Sequence, residues 1–338
     1  NAGISGQNTR QALKRIQKDV LDRKPTLVIA AFGMNDIRGT NPVPTQESYS
    51  NQTQIVKLCK GAGAEVVLCT PTSIYHGYPE WPFERLAPYA AIVQKVGAEE
   101  KAPVADMFRT FEDMRAKDPV AWMLTMSEWI HPDMNGHKVI AETVIRIITG
   151  KSISLADVPA PAPGIPFTLA KIAKGEPVKV VAMEPYDKMI AAALREINPQ
   201  AQVEVAPWVV PPQSIAGIAA SATKVRGQKP DLVIVAIPAT ANDPTEEWYI
   251  RHYSETYNGS ISYEKRTFDC IGILSSVGTP QLGPVESHQQ DLARAIIRGH
   301  DLDPIERKAG DTATPEQILQ RWLHQQAVLK VLPPETAK

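Results

Sequence analysis

Leu27-Val28-Ile29-Ala30-Ala31-Phe32-Gly33-Met34-Asn35-Asp36 is the stretch that decides the fold. Six apolar residues between Pro25 and Gly33 have the length and composition of a strand buried on both faces, as in a parallel sheet covered by helices. The turn that closes the run carries a carboxamide, Asn35, and a carboxylate, Asp36. In parallel α/β sheets, ligands and chemistry gather at the carboxyl ends of the strands. A polar pair at that point is a candidate site.

On either side the pattern alternates. Ala12, Ile16, Val20 and Leu21 recur at near-helical spacing and predict a helix over residues 8–23, stopped by Pro25. Downstream come a helix at 46–61, the strand Glu65-Val66-Val67-Leu68-Cys69, a helix at 84–99 and the short strand Pro103-Val104-Ala105-Asp106. A closing helix over 133–149 has Val139, Ile140, Val144, Ile147 and Ile148 on one face, with Gly150 as its stop. Strands alternating with helices predict an α/β domain of the flavodoxin-like, three-layer α/β/α kind, built on a parallel sheet.

Residues 157–166 hold four prolines, which supply no backbone donors, so a stiff extended linker is expected there. The second half then repeats the first. Lys229-Pro230-Asp231-Leu232-Val233-Ile234-Val235-Ala236 matches Lys24-Pro25-Thr26-Leu27-Val28-Ile29-Ala30-Ala31 at an offset of 229 − 24 = 205. Cys270 to Leu274 takes the place of the 65–69 strand, and Ser287 to Ile297 echoes Ile130 to Ile140. Three matched segments in one order point to an internal duplication. The expected organisation is a first domain over 1–150, a linker over 151–175, a second domain over 176–304 and a helical tail over 305–338. The second copy carries a strand, a helix and another strand (178–206) ahead of the helix that precedes the matched run. The first copy has only that last helix, so it is expected to be truncated, with the edge of the 27–32 strand exposed.

Two further segments bear on chemistry. Asn1-Ala2-Gly3-Ile4-Ser5-Gly6 ends on a glycine that lets a ligand approach the backbone closely. His131-Pro132-Asp133 puts an imidazole just ahead of the closing helix, with Glu128 three residues before it. Together with Gly33-Met34-Asn35-Asp36, these segments resemble three of the four motif blocks of the SGNH hydrolases, the GDSL esterase/lipase superfamily, over residues 1 to about 149. The resemblance implies that Gly6 supplies a backbone N–H and Asn35 a side-chain N–H to an oxyanion hole, and that His131 is the general base. Where the family has an aspartate three residues before its histidine, this chain has Glu128; Asp133 or a backbone carbonyl are the alternatives for orienting the ring. The family's nucleophile lies in a Gly-Asp-Ser segment upstream of the block that Asn1–Gly6 resembles. No residue here fills that role, and this chain alone is expected to be inactive.

The chemistry suits these residue types. Ester hydrolysis passes through a tetrahedral oxyanion that pre-aimed N–H donors stabilise, and a near-neutral imidazole shuttles the serine's proton to the leaving alcohol. The second copy departs from the pattern: Met183-Glu184-Pro185 stands where Gly-Asp-Ser would fall, Pro211 opposite Gly6, Thr240 opposite Asn35 and Val285 opposite Glu128, with His288 retained. It is expected to be hydrolase-like in fold without activity.

Composition narrows the classes. A formal net charge of −1 with no basic block argues against a nucleic-acid partner. No apolar run reaches the roughly 18 residues of a membrane span. Cys59, Cys69 and Cys270 form no CxxC, and the histidines form no HxxxH or HxH pair, so neither a disulfide framework nor a metal site has support. The resemblance implies no metal or organic cofactor, a small-molecule or carbohydrate ester as substrate, and a secreted or periplasmic location. The rival reading is a non-catalytic binding or scaffold protein built from two decayed hydrolase-like domains.

Overall fold

The strand at Leu27 forms as expected. The computed structural model describes residues 1–209, 214–261 and 267–329, and divides into two compact units. The first comprises Asn1–Trp122 and Trp129–Asp157, and the second comprises Met123–Glu128 with the chain from Val158 onward.

In the first unit the order is α1 (Thr9–Asp19), β1 (Leu27–Ala31), α2 (Thr45–Gly61), β2 (Glu65–Cys69), α3 (Leu86–Glu99), β3 (Val104–Ala105), α4 (Met107–Lys117), α5 (Pro119–Met123, of which Met123 is counted with the second unit) and α6 (Met134–Thr149). The strands form a parallel sheet in the order β1-β2-β3, with Leu27 opposite Glu65 and Cys69 opposite Ala105. Successive side chains of a strand face opposite sides, and the core divides accordingly. Val28, Ala30, Val66 and Leu68 pack with Ala12 and Ile16 of α1, Ile55 and Cys59 of α2, and Val93 and Val96 of α3. On the other face, Val67, Cys69 and Ala105 pack with Ile140, Val144 and Ile147 of α6.

Helix boundaries have local causes. Asn8 caps α1 in a reciprocal capping box with Gln11. α1 ends at Asp19, earlier than expected, and a 3₁₀ turn over Leu21–Arg23 leads to Lys24 in the left-handed region before Pro25. Asp133 caps α6 on Gly136 N (2.9 Å), and Gly150 closes it in the left-handed region.

Among the described residues β1 pairs only with β2, so its other edge carries no ladder. Leu27 is 38% and Ile29 50% exposed along a strand whose sequence reads as buried on both faces.

The second unit runs α7 (Pro166–Ala173), β4 (Val178–Ala182), α8 (Ile190–Ile197), β5 (Val203–Pro207), α9 (Ile215–Gly227), β6 (Leu232–Val235), α10 (Glu246–Ser260), β7 (Asp269–Gly272), α11 (Pro284–Gly299) and α12 (Pro315–Val328). Its parallel sheet has the order β5-β4-β6-β7. β6, the counterpart of β1, has β7 on one side and β4 on the other: Leu232 lies opposite both Asp269 and Val180.

The stretch 151–175, expected as linker, is extended only to Ile165. Pro166 stands in the first turn of α7, where its missing N–H costs nothing. Thr168 N donates to Asp269 Oδ2 (2.7 Å), which ties α7 to β7. The expected tail is also integrated: α12 packs on α8, and Gln320 Nε2 donates to Glu196 Oε1 (2.7 Å). Pro211 lies outside the described residues, as does the end of the tail beyond Leu329. No helix among the described residues is long and apolar enough to cross a membrane.

Candidate active site

β1 delivers the chain into Gly33-Met34-Asn35-Asp36. Gly33 has φ +116°, and a Cβ there would stand 3.2 Å from Pro71 Cδ, so the turn needs glycine twice over. Asn35 to Ile37 form one 3₁₀ turn. Asp36 is fully buried and accepts from Thr9 N (3.2 Å) and Thr9 Oγ1 (2.7 Å), fixing the start of α1 against the turn. Burial raises its pKa, while the bonds from Thr9 and Gly33 act the other way. Its neighbour Asn35 donates from Nδ2 to Gln7 O (3.2 Å). One amide hydrogen thus holds the Gly6–Gln7 segment, and the second is left for another acceptor.

The loop before α1 is held from both ends. Arg15 donates to Ala2 O (2.6 Å) and to Gln7 Oε1 (2.5 Å), and pairs with Asp19 at 3.0 Å one turn along α1. Gly6 adopts φ +75°, a conformation that favours glycine, at the exposed end of this loop.

His131 is reached by a separate route. Tyr75 N donates to Trp129 O (3.0 Å), and Trp129 stacks on Tyr78, which stacks on Trp81. Ile130 is buried in a cluster with Ile37, Ile74, Trp81, Leu86 and Tyr89. The residue before His131 and the residue two after Asn35 therefore share one core. His131 itself is exposed.

Gly6, Asn35 and His131 line a single groove of about 890 Å³. It runs along the open edge of β1, from Arg23 and Pro25 at one end to Met34, Arg38, Trp81 and Ile130 at the other. Two loops and the segment before α6 thus border one groove.

The carboxylates near His131 differ in situation. Asp133 is 5% exposed and committed to the cap of α6, and burial raises its pKa to about 7. Glu128 belongs to the second unit, where its charge contributes to raising the pKa of Glu255, itself mainly desolvated. Ser254 Oγ holds the preceding carbonyls of Met126 (3.2 Å) and Ser127 (3.1 Å) in that unit.

Arg15 and Arg38 are not singled out from sequence, whereas His137, inside the first turns of the closing helix, reads from sequence as a packing or surface residue rather than a metal ligand. Burial lowers the pKa of His137, and the charge of His131 adds to this. A visible signal existed only for Arg38, three residues after Asn35 on the same turn.

In the second unit the retained histidine stands in a different setting. His288 lies inside α11, whereas His131 precedes α6, and its Nε2 contacts Glu246. Asn242 Oδ1 accepts from Gln289 Nε2 (3.1 Å). The cavity lined there by Tyr249, Tyr253 and Gln289 measures about 10 Å³, room for about one water. Cys59, Cys69 and Cys270 are buried thiols, with Cys69 pushed up to about 11 by burial. No cluster of metal-ligating side chains occurs among the described residues.

Part of the chain is similar to known proteins. Residues 1–139 match the model of the GDSL-like Lipase/Acylhydrolase family. The chain is 26% identical over 160 residues to an acetylxylan esterase of Geobacillus stearothermophilus, covering 44% of the chain and 70% of that enzyme. It is 29% identical over 146 residues to the thioesterase 1/protease 1/lysophospholipase L1 of Escherichia coli K12, covering 42% of the chain and 62% of that protein. Among solved structures, the lipase/acylhydrolase from Enterococcus faecalis aligns at 26% identity with a TM-score of 0.39, over 44% of this chain and 73% of that one.

Proposed function

We propose that the first unit is the acyl-transfer site of a serine esterase that hydrolyses an acyl ester, with an acetylated carbohydrate as the preferred class. The observation that carries this reading is the shared groove: a glycine amide, a carboxamide and an imidazole line one space beside an open strand edge. The likeness to an acetylxylan esterase supports the substrate class.

In this reading the nucleophilic serine stands on a strand that precedes Asn1 and adds to the free edge of β1. Support comes from the second sheet, where β4 occupies that position beside β6 and leads into Met183-Glu184-Pro185. His131 takes the proton from the serine Oγ as it attacks the ester carbonyl. The oxyanion is received by Gly6 N–H and the free hydrogen of Asn35 Nδ2, donors of the kind worth about 3–4 kcal/mol each to the transition state. His131 then protonates the leaving alcohol, and water repeats the cycle on the acyl-enzyme. The carboxylate of Asp133 is engaged by the backbone of α6.

The test is hydrolysis of p-nitrophenyl acetate and of acetylated xylo-oligosaccharides by the full-length protein. His131→Ala is expected to lower kcat by at least ~10³-fold. Activity at the wild-type level in that variant removes His131 from the mechanism.

A further inference from the structure

Arg38 stands at the mouth of the groove and has no part in the chemistry above. The Ile37–Gly39 segment that carries it is fixed: Gly39 N donates to Glu80 O (2.7 Å), and Arg85 Nη1 donates to Gly39 O (2.7 Å). The guanidinium lies over the Trp81 ring, 4.6 Å from its centroid, and Trp81 is itself almost wholly covered. From Nη2 it makes one hydrogen bond, to Glu80 Oε2 at 3.3 Å, across a pair in which both side chains are about half exposed. A pair that long and that exposed is held weakly and yields readily to a competing anion. Nη1 points the other way: a Cβ built on Gly6 would lie 4.0 Å from it. Among the described residues Nη1 makes no hydrogen bond. A cation with one open donor face thus overlooks the loop whose glycine is assigned to the oxyanion.

We infer that Arg38 is a specificity-determining residue that receives an anionic group carried by the ester, within one side chain's reach of the scissile carbonyl. This rests on the hydrolase reading and sharpens its substrate class to acidic esters, such as an acylated sugar or alcohol bearing a carboxylate. Trp81 keeps the guanidinium plane oriented, so little freedom is lost when a carboxylate docks on its fork. Glu80 holds the same group while the site is empty. The positive charge also draws anionic esters toward the groove, an effect that salt weakens.

Two esters matched except for charge test this: 4-acetoxybenzoate and 4-acetoxybenzamide, hydrolysed by the full-length protein. The wild type is expected to favour the anion, through KM, with a preference that declines between low and 0.5 M salt. Arg38→Gln should reduce the ratio of kcat/KM for anion over amide by roughly tenfold, Arg38→Lys by less, and Glu80→Gln should increase it. A ratio unchanged within twofold in Arg38→Gln overturns the assignment. If the wild type hydrolyses neither ester, the hydrolase reading falls first, and binding then decides on Arg38 alone. A shift of the Arg38 Nε–H resonance on titration with 4-hydroxybenzoate, absent with 4-hydroxybenzamide, would uphold it, and no shift with either would end it.

Discussion

Asp133 shows how one side chain constrains both the site and its pH response. Its carboxylate caps α6 two residues after His131, and burial raises its pKa to about 7 from an ordinary 3.8. The native state therefore binds this proton more tightly than the unfolded chain does. Stability from this group is complete below about pH 4 and is lost as the pH rises through about 7. Asparagine caps a helix as well as aspartate and carries no charge. Asp133→Asn should therefore flatten the fall in Tm between pH 5 and pH 8, measured by calorimetry against the wild type. An identical pH slope in the two proteins would show that Asp133 titrates normally in the fold. Asp36 has the opposite significance: its carboxylate is spent on Thr9, so the aspartate of Gly-Met-Asn-Asp builds the turn and its asparagine faces the groove.

The elements that follow hydrophobic periodicity were legible in the sequence. β1, β2, α2, α3 and α6 fall within a few residues of their expected places, because apolar spacing there reflects packing on one sheet. α7 was not legible, because proline density suggested a linker while Ile165 and Ile172 are buried in the second unit. Three loops carrying Gly6, Asn35 and His131 could be recognised by motif. Their supports could not: Arg15 on Ala2 and Gln7, and Tyr75 on Trp129, are contacts between distant residues with no local signal. β1 carries the sharpest expectation at this scale. Ile29 is half exposed here, yet a strand added at the edge, with its flanking cover, would bury it. Ile29→Ala should cost about 2–4 kcal/mol in the full-length protein by urea unfolding, as for a core residue. In residues 1–338 alone it should cost about 0.5 kcal/mol, as for a surface residue. Equal small costs in both would mean that nothing covers β1.

At the scale of the whole molecule, the two units read as one architecture in two conditions. In one, a groove along β1 remains open beside Gly6, Asn35 and His131. In the other, β4 fills the edge beside β6. In the proposed mechanism a serine upstream of Asn1 meets His131. Labelling the full-length protein with a fluorophosphonate probe, followed by peptide mass spectrometry, tests this most directly. The expected result is one adduct, on a serine upstream of Asn1, that disappears in His131→Ala. An adduct on any serine within residues 1–338, or labelling indifferent to His131, would contradict it.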